Sequence, residues 1–285
     1  MSKVLITGVN GYLGGHLANH LHNKGYEVEG VVRSGSSLRE DLADVVSRVH
    51  EYESGLMINS LENIDSDWNY EAFYHVAALY STKEDIDTQY DLMMSNVKYT
   101  SDVIAVGSAK SIPVIAASTF SAYTRNNEFA KNNLYSFTKL MGEMMGVNHA
   151  KYMTSIIMSD TYGPNDTRGK VHNLLHEGKI DELYSPGSQK MVLNHIEDVC
   201  EAFFQAHQLI KEDISNGVSR VFSRYDLMYE ENEVTLNELI EALDVDAKCI
   251  GKIDEVEIPK GFNKIPGFEP KYNVKRDIKR VLEGS

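Results

Sequence analysis

The amino-acid sequence predicts an α/β fold: a doubly wound parallel sheet followed by a smaller C-terminal α/β cap. In the first 165 residues, short β-branched apolar runs alternate with segments of helical periodicity. This alternation is typical of a parallel sheet with helices on both faces. After Pro164 turn residues become more frequent and the alternation becomes irregular. We therefore expect one domain over residues 1–165 and a cap over residues 166–285, with some chain exchange between them.

Each element follows from its local pattern. Leu13, Leu17 and Leu21 recur at i, i+4 and i+8 and predict the first helix, which Gly25 ends. Strands are predicted at residues 4–6, 27–33, 49–53, 72–75, 113–117 and 154–158. Further helices are predicted at residues 91–107, 134–149, 171–177, 197–209, 236–243 and 274–282.

Composition excludes several classes of function. The 285 residues are 42% hydrophobic and 25% charged, as in a globular enzyme, and the net charge is −14. This acidic balance argues against binding to nucleic acid or to a membrane surface. No run approaches the ~18 apolar residues of a membrane helix, and no signal-peptide pattern is present, so we expect a cytoplasmic protein. The cysteines and histidines are not spaced as metal ligands, so no metal site is expected. Residues 226–257 are interpreted as a solvated acidic face.

The turn between the first strand and the first helix has the pattern of a phosphate-binding loop. It reads TGVNGYLG over residues 7–14. The glycines permit a tight turn, a close approach to a pyrophosphate and packing of helix on strand. The alternative is an ordinary glycine-rich turn, but the position favours dinucleotide binding in a Rossmann-type domain, residues 1–165, with residues 166–285 as the substrate-binding cap. The expected cofactor contacts are Thr7, Gly8, Asn10, Gly11, Tyr12, Leu13 and Gly14.

The end of the second strand bears on which cofactor binds. A carboxylate there would bind the ribose 2′-hydroxyl of NAD, but this chain has Arg33 followed by Ser34. A guanidinium suits a 2′-phosphate, so the sequence favours NADPH, with NAD as the alternative. The competing interpretation of Arg33 is an exposed arginine at a strand end.

Tyr135 and Lys139 lie four residues apart in one predicted helix, so their side chains share a face. An ammonium favours a phenolate, so we expect Lys139 to lower the pKa of Tyr135 from about 10. Spacing alone is weak evidence, because the chain holds 16 tyrosines. However, Ser118 and Thr119 directly follow a predicted strand, and strand carboxyl ends face the binding crevice. A hydroxyl there could hydrogen-bond a substrate carbonyl beside Tyr135.

With these motifs in order, the chain resembles the extended short-chain dehydrogenases/reductases of the NAD-dependent epimerase/dehydratase family, which act mostly on nucleotide sugars. The resemblance implies that Tyr135 is the general acid/base and that Lys139 holds the nicotinamide ribose. The hydroxyl that orients the carbonyl stands four residues before Tyr123, which selects Thr119 and leaves Ser118 as the alternative. The matching segments are TGVNGYLG from Thr7, HVAA from His75, ASTFSAY from Ala117, YSFTK from Tyr135, TYGP from Thr161 and HIEDV from His195.

The resemblance has further implications. Ala77 and Ala78 would contact the cofactor, and Asn96 stands where relatives have an asparagine that supports a proton relay. Two helices that form a dimer bundle in many relatives are rich in methionine, an adaptable residue at such contacts, so a homodimer is expected. Packing within one subunit explains these methionines nearly as well. They are Met93, Met94, Met141, Met144 and Met145.

Local residues then choose among the reactions of the family. Similar 4,6-dehydratases carry an Asp-Glu pair after the hydroxyl residue, and similar epimerase-reductases carry a cysteine two residues after it. This chain has Phe120 and Ser121, which disfavours both reactions. A C4 epimerase retains NAD, whereas Arg33 favours NADPH. The sequence thus predicts an NADPH-dependent reductase of a 4-keto-deoxy nucleotide sugar. The alternatives are a C4 epimerase, a dihydroflavonol-type reductase of a small ketone or aldehyde, and a dinucleotide-sensing regulator.

Substrate contacts are less constrained by the sequence. Met191 stands where many relatives have an arginine near the substrate pyrophosphate, and Arg168 or Lys190 could replace that cation or be only surface residues. Asp160 precedes the TYGP segment and either touches substrate or caps the turn. The candidate substrate residues are Tyr80, Ser121, Asp160, Arg168 and Lys190.

Overall fold

A computed structural model of the chain describes residues 2–52, 68–83, 85–123, 134–252, 258 and 261–284. Seven strands within these ranges form one sheet, in the order β10-β6-β5-β4-β1-β2-β3. All of its pairings are parallel, which confirms the predicted doubly wound fold. The strands of the described residues are β1 (Lys3–Thr7), β2 (Glu27–Arg33), β3 (Val46–Tyr52), β4 (Tyr70–His75), β5 (Val114–Thr119), β6 (Tyr152–Met158), β7 (Asp160–Tyr162), β8 (Glu182–Leu183), β9 (Lys190–His195), β10 (Val221–Asp226), β11 (Glu233–Thr235) and β12 (Lys248–Cys249).

Helices cover both faces of this sheet. The helices of the described residues are α1 (Tyr12–Asn23), α2 (Ile86–Leu92), α3 (Tyr99–Lys110), α4 (Leu134–His149), α5 (Val171–His176), α6 (Ile196–Ser215), α7 (Leu236–Leu243) and α8 (Val274–Leu282). α1 and α6 pack on one face, where Leu17 and Phe203 are fully buried. α3 and α4 pack on the other face, where Val103 and Ile104 are buried. Each such side chain contributes about 1.5–3 kcal/mol by leaving water. No helix in the described ranges is long and apolar enough to cross a bilayer.

The order of the strands creates a crevice above β1. The chain passes from β1 to β2 and β3 on one side, and then to β4, β5 and β6 on the other. At such a switch point the loops after neighbouring strands diverge and leave a space at the carboxyl ends of the strands. The motifs singled out in the sequence follow β1, β2, β4 and β5, so the fold brings them to this one edge.

A buried charged cluster lies towards the amino ends of the strands. Glu29 of β2 is 3% exposed and accepts a hydrogen bond from Nε2 of His50 at 2.6 Å. Its carboxylate also accepts from the hydroxyl of Tyr70 and pairs with Nζ of Lys3 at 3.1 Å. We call these four residues the Glu29 cluster.

The C-terminal part contributes to two bodies of structure. A three-stranded sheet, β11-β9-β7, packs with α5, α7 and α8 around its own apolar core. β10, which the sequence did not predict, returns to the main sheet and pairs with β6. The division at residue 165 therefore stays a prediction. The acidic stretch is partly neutralised by α8: Lys275 pairs with Glu238 at 2.6 Å and Lys279 pairs with Asp244 at 2.7 Å.

Candidate active site

The turn between β1 and α1 has a shape that requires glycine at two positions. Gly8 has a φ of +75°, and a Cβ there would lie 2.7 Å from the Cα of Ala77. A Cβ at Gly14 would lie 2.1 Å from the carbonyl oxygen of Gly8. α1 begins after Gly11 without a side-chain cap, which leaves the first N–H groups of the helix available to an anion. The turn therefore has the geometry of a phosphate cradle.

A cleft of about 550 Å³ opens beside this turn. In its wall the rings of Tyr52 and Tyr99 stack with centroids 3.9 Å apart. This volume is within the range of cofactor sites, and glycine backbone beside apolar and aromatic walls fits a dinucleotide. The predicted cofactor residues that line the cleft are Gly8, Asn10, Gly11, Arg33, Ala77 and Ala78.

Other predicted cofactor residues support the turn. Oγ1 of Thr7 hydrogen-bonds Nδ1 of His75 at 2.8 Å. Burial lowers the pKa of His75 to about 3, so this histidine is neutral. The Tyr12 ring lies 4.1 Å below the guanidinium of Arg168, and Leu13 packs against the core.

Arg33 lies at the end of β2 with its side chain exposed to the cleft. The neighbouring strand β3 carries a carboxylate, Glu51, beside Val32, and the turn after β2 engages it. Glu51 accepts hydrogen bonds from the Ser34 hydroxyl at 3.1 Å and from the Gly35 N–H at 3.2 Å. Among the described residues that line the cleft, the only other charged one is Asp91, from α2. Arg33 is thus the cation available at this end of the cleft.

A second arginine, which the sequence analysis missed, lies over the phosphate turn. Arg39 donates to the backbone oxygen of Asn10 at 3.4 Å and pairs with Asp41. The Asn10 side chain in turn accepts from the Arg39 N–H at 3.0 Å and donates to the Ser37 oxygen at 2.8 Å. These bonds hold the segment after β2 against the cradle. No spacing rule in the sequence relates position 39 to position 10.

The end of β5 carries a chain of hydroxyl groups. Oγ1 of Thr119 lies 2.9 Å from Oγ of Ser121, which lies 2.6 Å from Oγ of Ser136. Ser136 is the neighbour of Tyr135 at the start of α4. These hydrogen bonds connect Thr119, the predicted carbonyl-binding residue, to the start of the helix that carries Tyr135, the predicted acid.

Tyr135 is surrounded by groups that disfavour its ionised form. Burial, the nearby Tyr80 and the Asp160 carboxylate raise the pKa of Tyr135 to about 12. The rings of Tyr80 and Tyr135 meet edge to face with centroids 4.9 Å apart. The expected lowering of this pKa by Lys139 is therefore not found, because burial and the acidic neighbour dominate. The phenol is protonated at neutral pH, which is the form of a proton donor.

Lys139 is 6% exposed, and burial lowers its pKa to about 8 while the Glu143 carboxylate opposes that effect. Its side chain faces a small cavity that His75, Ser118 and Glu143 also line. Lys139 thus lines this small cavity and is not among the described residues that line the 550 Å³ cleft, so its contact with a nicotinamide ribose stays a prediction.

Asn96 lies in a π-helical turn, Met93–Lys98, between α2 and α3. Such turns occur frequently at functional sites. The Asn96 side chain accepts from the Leu79 N–H at 2.8 Å, and it donates to the Leu79 oxygen at 2.9 Å and to Oγ1 of Thr138 at 3.1 Å. It thereby fixes the cleft wall to the helix of Tyr135 and Lys139. Its expected role in a proton relay stays a prediction.

The structure separates the five candidate substrate residues into two groups. Tyr80, Ser121 and Asp160 lie around Tyr135, as described above. Arg168 is held by Asp166, with Nε at 2.6 Å, and donates to the Thr161 oxygen at 2.7 Å. Lys190 pairs with Glu233 at 2.5 Å on the neighbouring strand. Both cations are thus committed to protein partners.

A residue that the sequence analysis did not single out completes the rim of the site. Nζ of Lys170 lies 2.5 Å from the Asp160 carboxylate and 5.4 Å from the centroid of the Tyr80 ring. It comes from the loop before α5, which is distant in sequence from Tyr135. The one sequence signal for Lys170 is its position ten residues after Asp160, in the segment that follows β7.

The fold and this site define a class of protein: a dinucleotide-dependent enzyme of the extended short-chain dehydrogenase/reductase type. The sequence profile of the NAD dependent epimerase/dehydratase family matches residues 4–221, and the chain belongs to that family. This confirms the resemblance stated from the motifs.

Relatives within the family carry out several reactions. The chain is 21% identical to UDP-N-acetyl-alpha-D-glucosaminuronate decarboxylase of Bacillus cytotoxicus, over 94% of this chain and 88% of that protein. It is 27% identical to GDP-mannose 4,6-dehydratase of Yersinia enterocolitica, over 49% of this chain and 38% of that protein. The structure of UDP-glucose 4-epimerase from Brucella ovis in complex with NAD superposes with a TM-score of 0.78 at 17% identity, covering 100% of this chain and 98% of the other. These names cover decarboxylation, dehydration and epimerisation, so the reaction must be argued from the site.

Proposed function

We propose that the protein is an NADPH-dependent reductase of a keto group, with a 4-keto-deoxy nucleotide sugar as the substrate class. The observation that carries the proposal is the hydroxyl chain at the end of β5. Elimination of water would require an acid and a base directly after Thr119. Phe120 and Ser121 occupy these two positions, and the Ser121 hydroxyl is hydrogen-bonded to the hydroxyls of Thr119 and Ser136. Tyr135, which precedes Ser136 in α4, offers a protonated phenol as the proton donor.

Three groups of the chain are the proposed contacts for the cofactor. The cradle at Gly8 and Gly11 would hold the pyrophosphate, Arg33 the 2′-phosphate, and Lys139 the nicotinamide ribose. When bound, NADPH supplies the hydride for the carbonyl carbon. The walls of the cleft would hold the bound cofactor in place for that transfer.

The residues of the site then handle the oxygen of the substrate. The Thr119 hydroxyl would donate a hydrogen bond to the keto oxygen and so orient it towards Tyr135. Tyr135 would give its proton to that oxygen as negative charge develops there. Its high pKa keeps the proton in place until then. The Lys139 ammonium would stabilise the phenolate that is left.

The cofactor preference rests on charge. A 2′-phosphate carries negative charge that Arg33 matches, and the Glu51 carboxylate is bonded to Ser34 and Gly35. NAD, which is present in the solved structures of relatives such as the Brucella ovis epimerase, is the alternative.

The substrate class rests on the relatives, whose names specify sugars linked to UDP or GDP. A homodimer is supported by exposed apolar side chains on adjacent helices: Ile86 and Tyr90 on α2 are 80% and 64% exposed, and Phe137 on α4 is 55% exposed. A second copy of the chain would remove these surfaces from water.

The test is consumption of NADPH with a panel of 4-keto-6-deoxy sugars linked to UDP, dTDP, CDP and GDP. We expect one cofactor to be consumed per hydroxylated product, and turnover at least ~100-fold lower in the Tyr135→Phe variant. Conversion of a 4-hydroxy sugar into its epimer without net cofactor consumption would instead identify a C4 epimerase. Turnover of small ketones alone would move the substrate to the dihydroflavonol-type class.

A further inference from the structure

Glu143 is a buried carboxylate directly behind the predicted catalytic residues. It lies on α4, one turn after Lys139, and is 2% exposed. Ser and Tyr hydroxyls and a guanidinium donate to its two oxygens, so both are occupied. The donors, which come from β5, from the segment after β5, from β6 and from β10, are Ser118 at 2.5 Å, Tyr123 at 2.9 Å, Ser155 at 3.0 Å and Arg224. Four donors, one of them a charged guanidinium, favour the carboxylate form of this side chain.

A cavity of about 10 Å³ lies between Glu143 and Lys139. This is close to the smallest space that holds one water molecule. Among the described residues, none forms a hydrogen bond or ion pair with the Lys139 ammonium. The two opposite charges thus face each other across a gap, because the four donors already occupy the carboxylate.

The other groups that face Lys139 do not compete with Glu143 as a charge. His75, from the end of β4, is neutral because burial lowers its pKa to about 3. Tyr135, on the same helix, is a neutral phenol. The remaining polar groups of the cavity wall are the hydroxyls of Thr100, Ser118 and Ser155. Among the described residues around this cavity, Glu143 is therefore the one negative charge.

We propose that Glu143 is a positioning residue that keeps the Lys139 ammonium charged across the cavity, and that Arg224 limits this effect by sharing the carboxylate. The inference rests on the proposed function, in which a charged Lys139 stabilises the Tyr135 phenolate. The separation is part of the arrangement: a direct ion pair with Glu143 would draw the ammonium away from Tyr135 and from the cofactor ribose. Arg224 belongs to β10, so the C-terminal part of the chain sets this balance.

The proposal predicts shifts of opposite sign for two variants. Glu143→Gln removes a negative charge, so the pKa of Lys139 should fall by about one unit. Arg224→Met removes a positive charge and leaves Glu143 held by three hydroxyl donors, so the pKa of Lys139 should rise. That rise should be smaller, because Arg224 is 28% exposed and lies beyond Glu143. Loss of packing alone would not produce opposite signs.

The experiment is a pH titration of the protein labelled with ¹³C at the lysine ε-carbon, followed by NMR without substrate. The Lys139 signal is assigned by its loss in Lys139→Met. Glu29→Gln is the matched control, because Glu29 is also a buried, multiply bonded carboxylate but belongs to the Glu29 cluster at the amino ends of the strands. It should leave the Lys139 titration unchanged. An unchanged Lys139 pKa in both Glu143→Gln and Arg224→Met would overturn the proposal, as would shifts of the same sign.

The measurement is independent of the reaction. If the shifts appear but no keto sugar is reduced, the proposed function fails and the role of Glu143 stands. If reduction is found, the pH profile of kcat/KM should have an alkaline limb that reports Tyr135 or Lys139. In each variant the apparent pKa of that limb should shift in the same direction as the NMR pKa of Lys139. Thermal unfolding identifies a variant that does not fold. If Glu143→Gln does not fold, the test rests on Arg224→Met alone. An unchanged Lys139 pKa in Arg224→Met then refutes the inference.

Discussion

Replacing Arg33 with alanine should weaken the binding of NADPH and leave that of NADH nearly unchanged. The guanidinium stands at the end of β2, lines the cleft and is not matched there by the Glu51 carboxylate, which the turn engages. A hydrogen bond between charged groups contributes about 1.5–3 kcal/mol. Because Arg33 is exposed, we expect the lower end of this range, about 1.5 kcal/mol, which is a roughly tenfold rise in Kd for NADPH.

The assay is a calorimetric titration of wild type and variant with each cofactor at low and moderate ionic strength. The difference between the two cofactors should shrink as salt is added, since an exposed charge pair is screened. Arg39→Ala is the comparison: its guanidinium is paired with Asp41 and contacts Asn10 of the turn that both cofactors would use, so any loss of affinity should be equal for NADPH and NADH. The role of Arg33 would be refuted if Arg33→Ala lost equal affinity for NADPH and NADH, or if the wild type preferred NADH. A loss of NADPH affinity alone in Arg39→Ala, and not in Arg33→Ala, would refute it as well.

Three other predictions concern the acid, the lysine and the buried cluster. Tyr135→Phe should reduce turnover by at least ~100-fold while NADPH affinity is kept; near wild-type turnover would exclude Tyr135 as the acid. Lys139→Met should reduce both cofactor affinity and turnover, measured by titration and steady-state rates; loss of only one would separate the two roles. In the Glu29 cluster, burial opposes ionisation, but hydrogen bonds outweigh it and lower the pKa of Glu29 to about 2. This stabilisation is present above the unfolded-state pKa of about 4.3 and is lost as pH falls towards 2. Glu29→Gln should therefore lower the free energy of unfolding by about 1–3 kcal/mol at pH 7. It should also flatten the pH dependence of that free energy between about pH 4.3 and 2, as measured by urea denaturation. The same pH dependence in wild type and variant would contradict this.

Much of the Rossmann-type half follows from the sequence because its elements have strong local patterns. The helix at Leu134–His149 and the strand at Glu27–Arg33 lie at the predicted bounds. The strand expected at residues 49–53 begins earlier, at Val46, and residue 53 lies outside the described ranges. Alternating β and α patterns specify a parallel sheet, so the fold class could be predicted without any long-range information.

The features that were missed depend on contacts between distant residues. β10 has two apolar residues, Val221 and Phe222, followed by a polar stretch up to Tyr225, so its alternation of apolar and polar residues is weak. Its position beside β6 is set by tertiary pairing. The expected lowering of the Tyr135 pKa considered only the lysine four residues away. It could not include the charge of Asp160, which acts on the phenol from the strand β7. Lys170 and Arg224 likewise enter the site from segments whose sequence carries no motif.

The return of the chain to the main sheet through β10 has a consequence for how this protein is made and how it can be divided. While the ribosome synthesises the first half, β6 is an open edge and Glu143 has no guanidinium beside it. The nascent Rossmann half therefore ends in an unpaired strand, which favours wrong association until the later strand arrives. A split protein or a chimera with a foreign cap should keep α6 and β10 together with the first half, so a cut at residue 165 should give a fragment that aggregates.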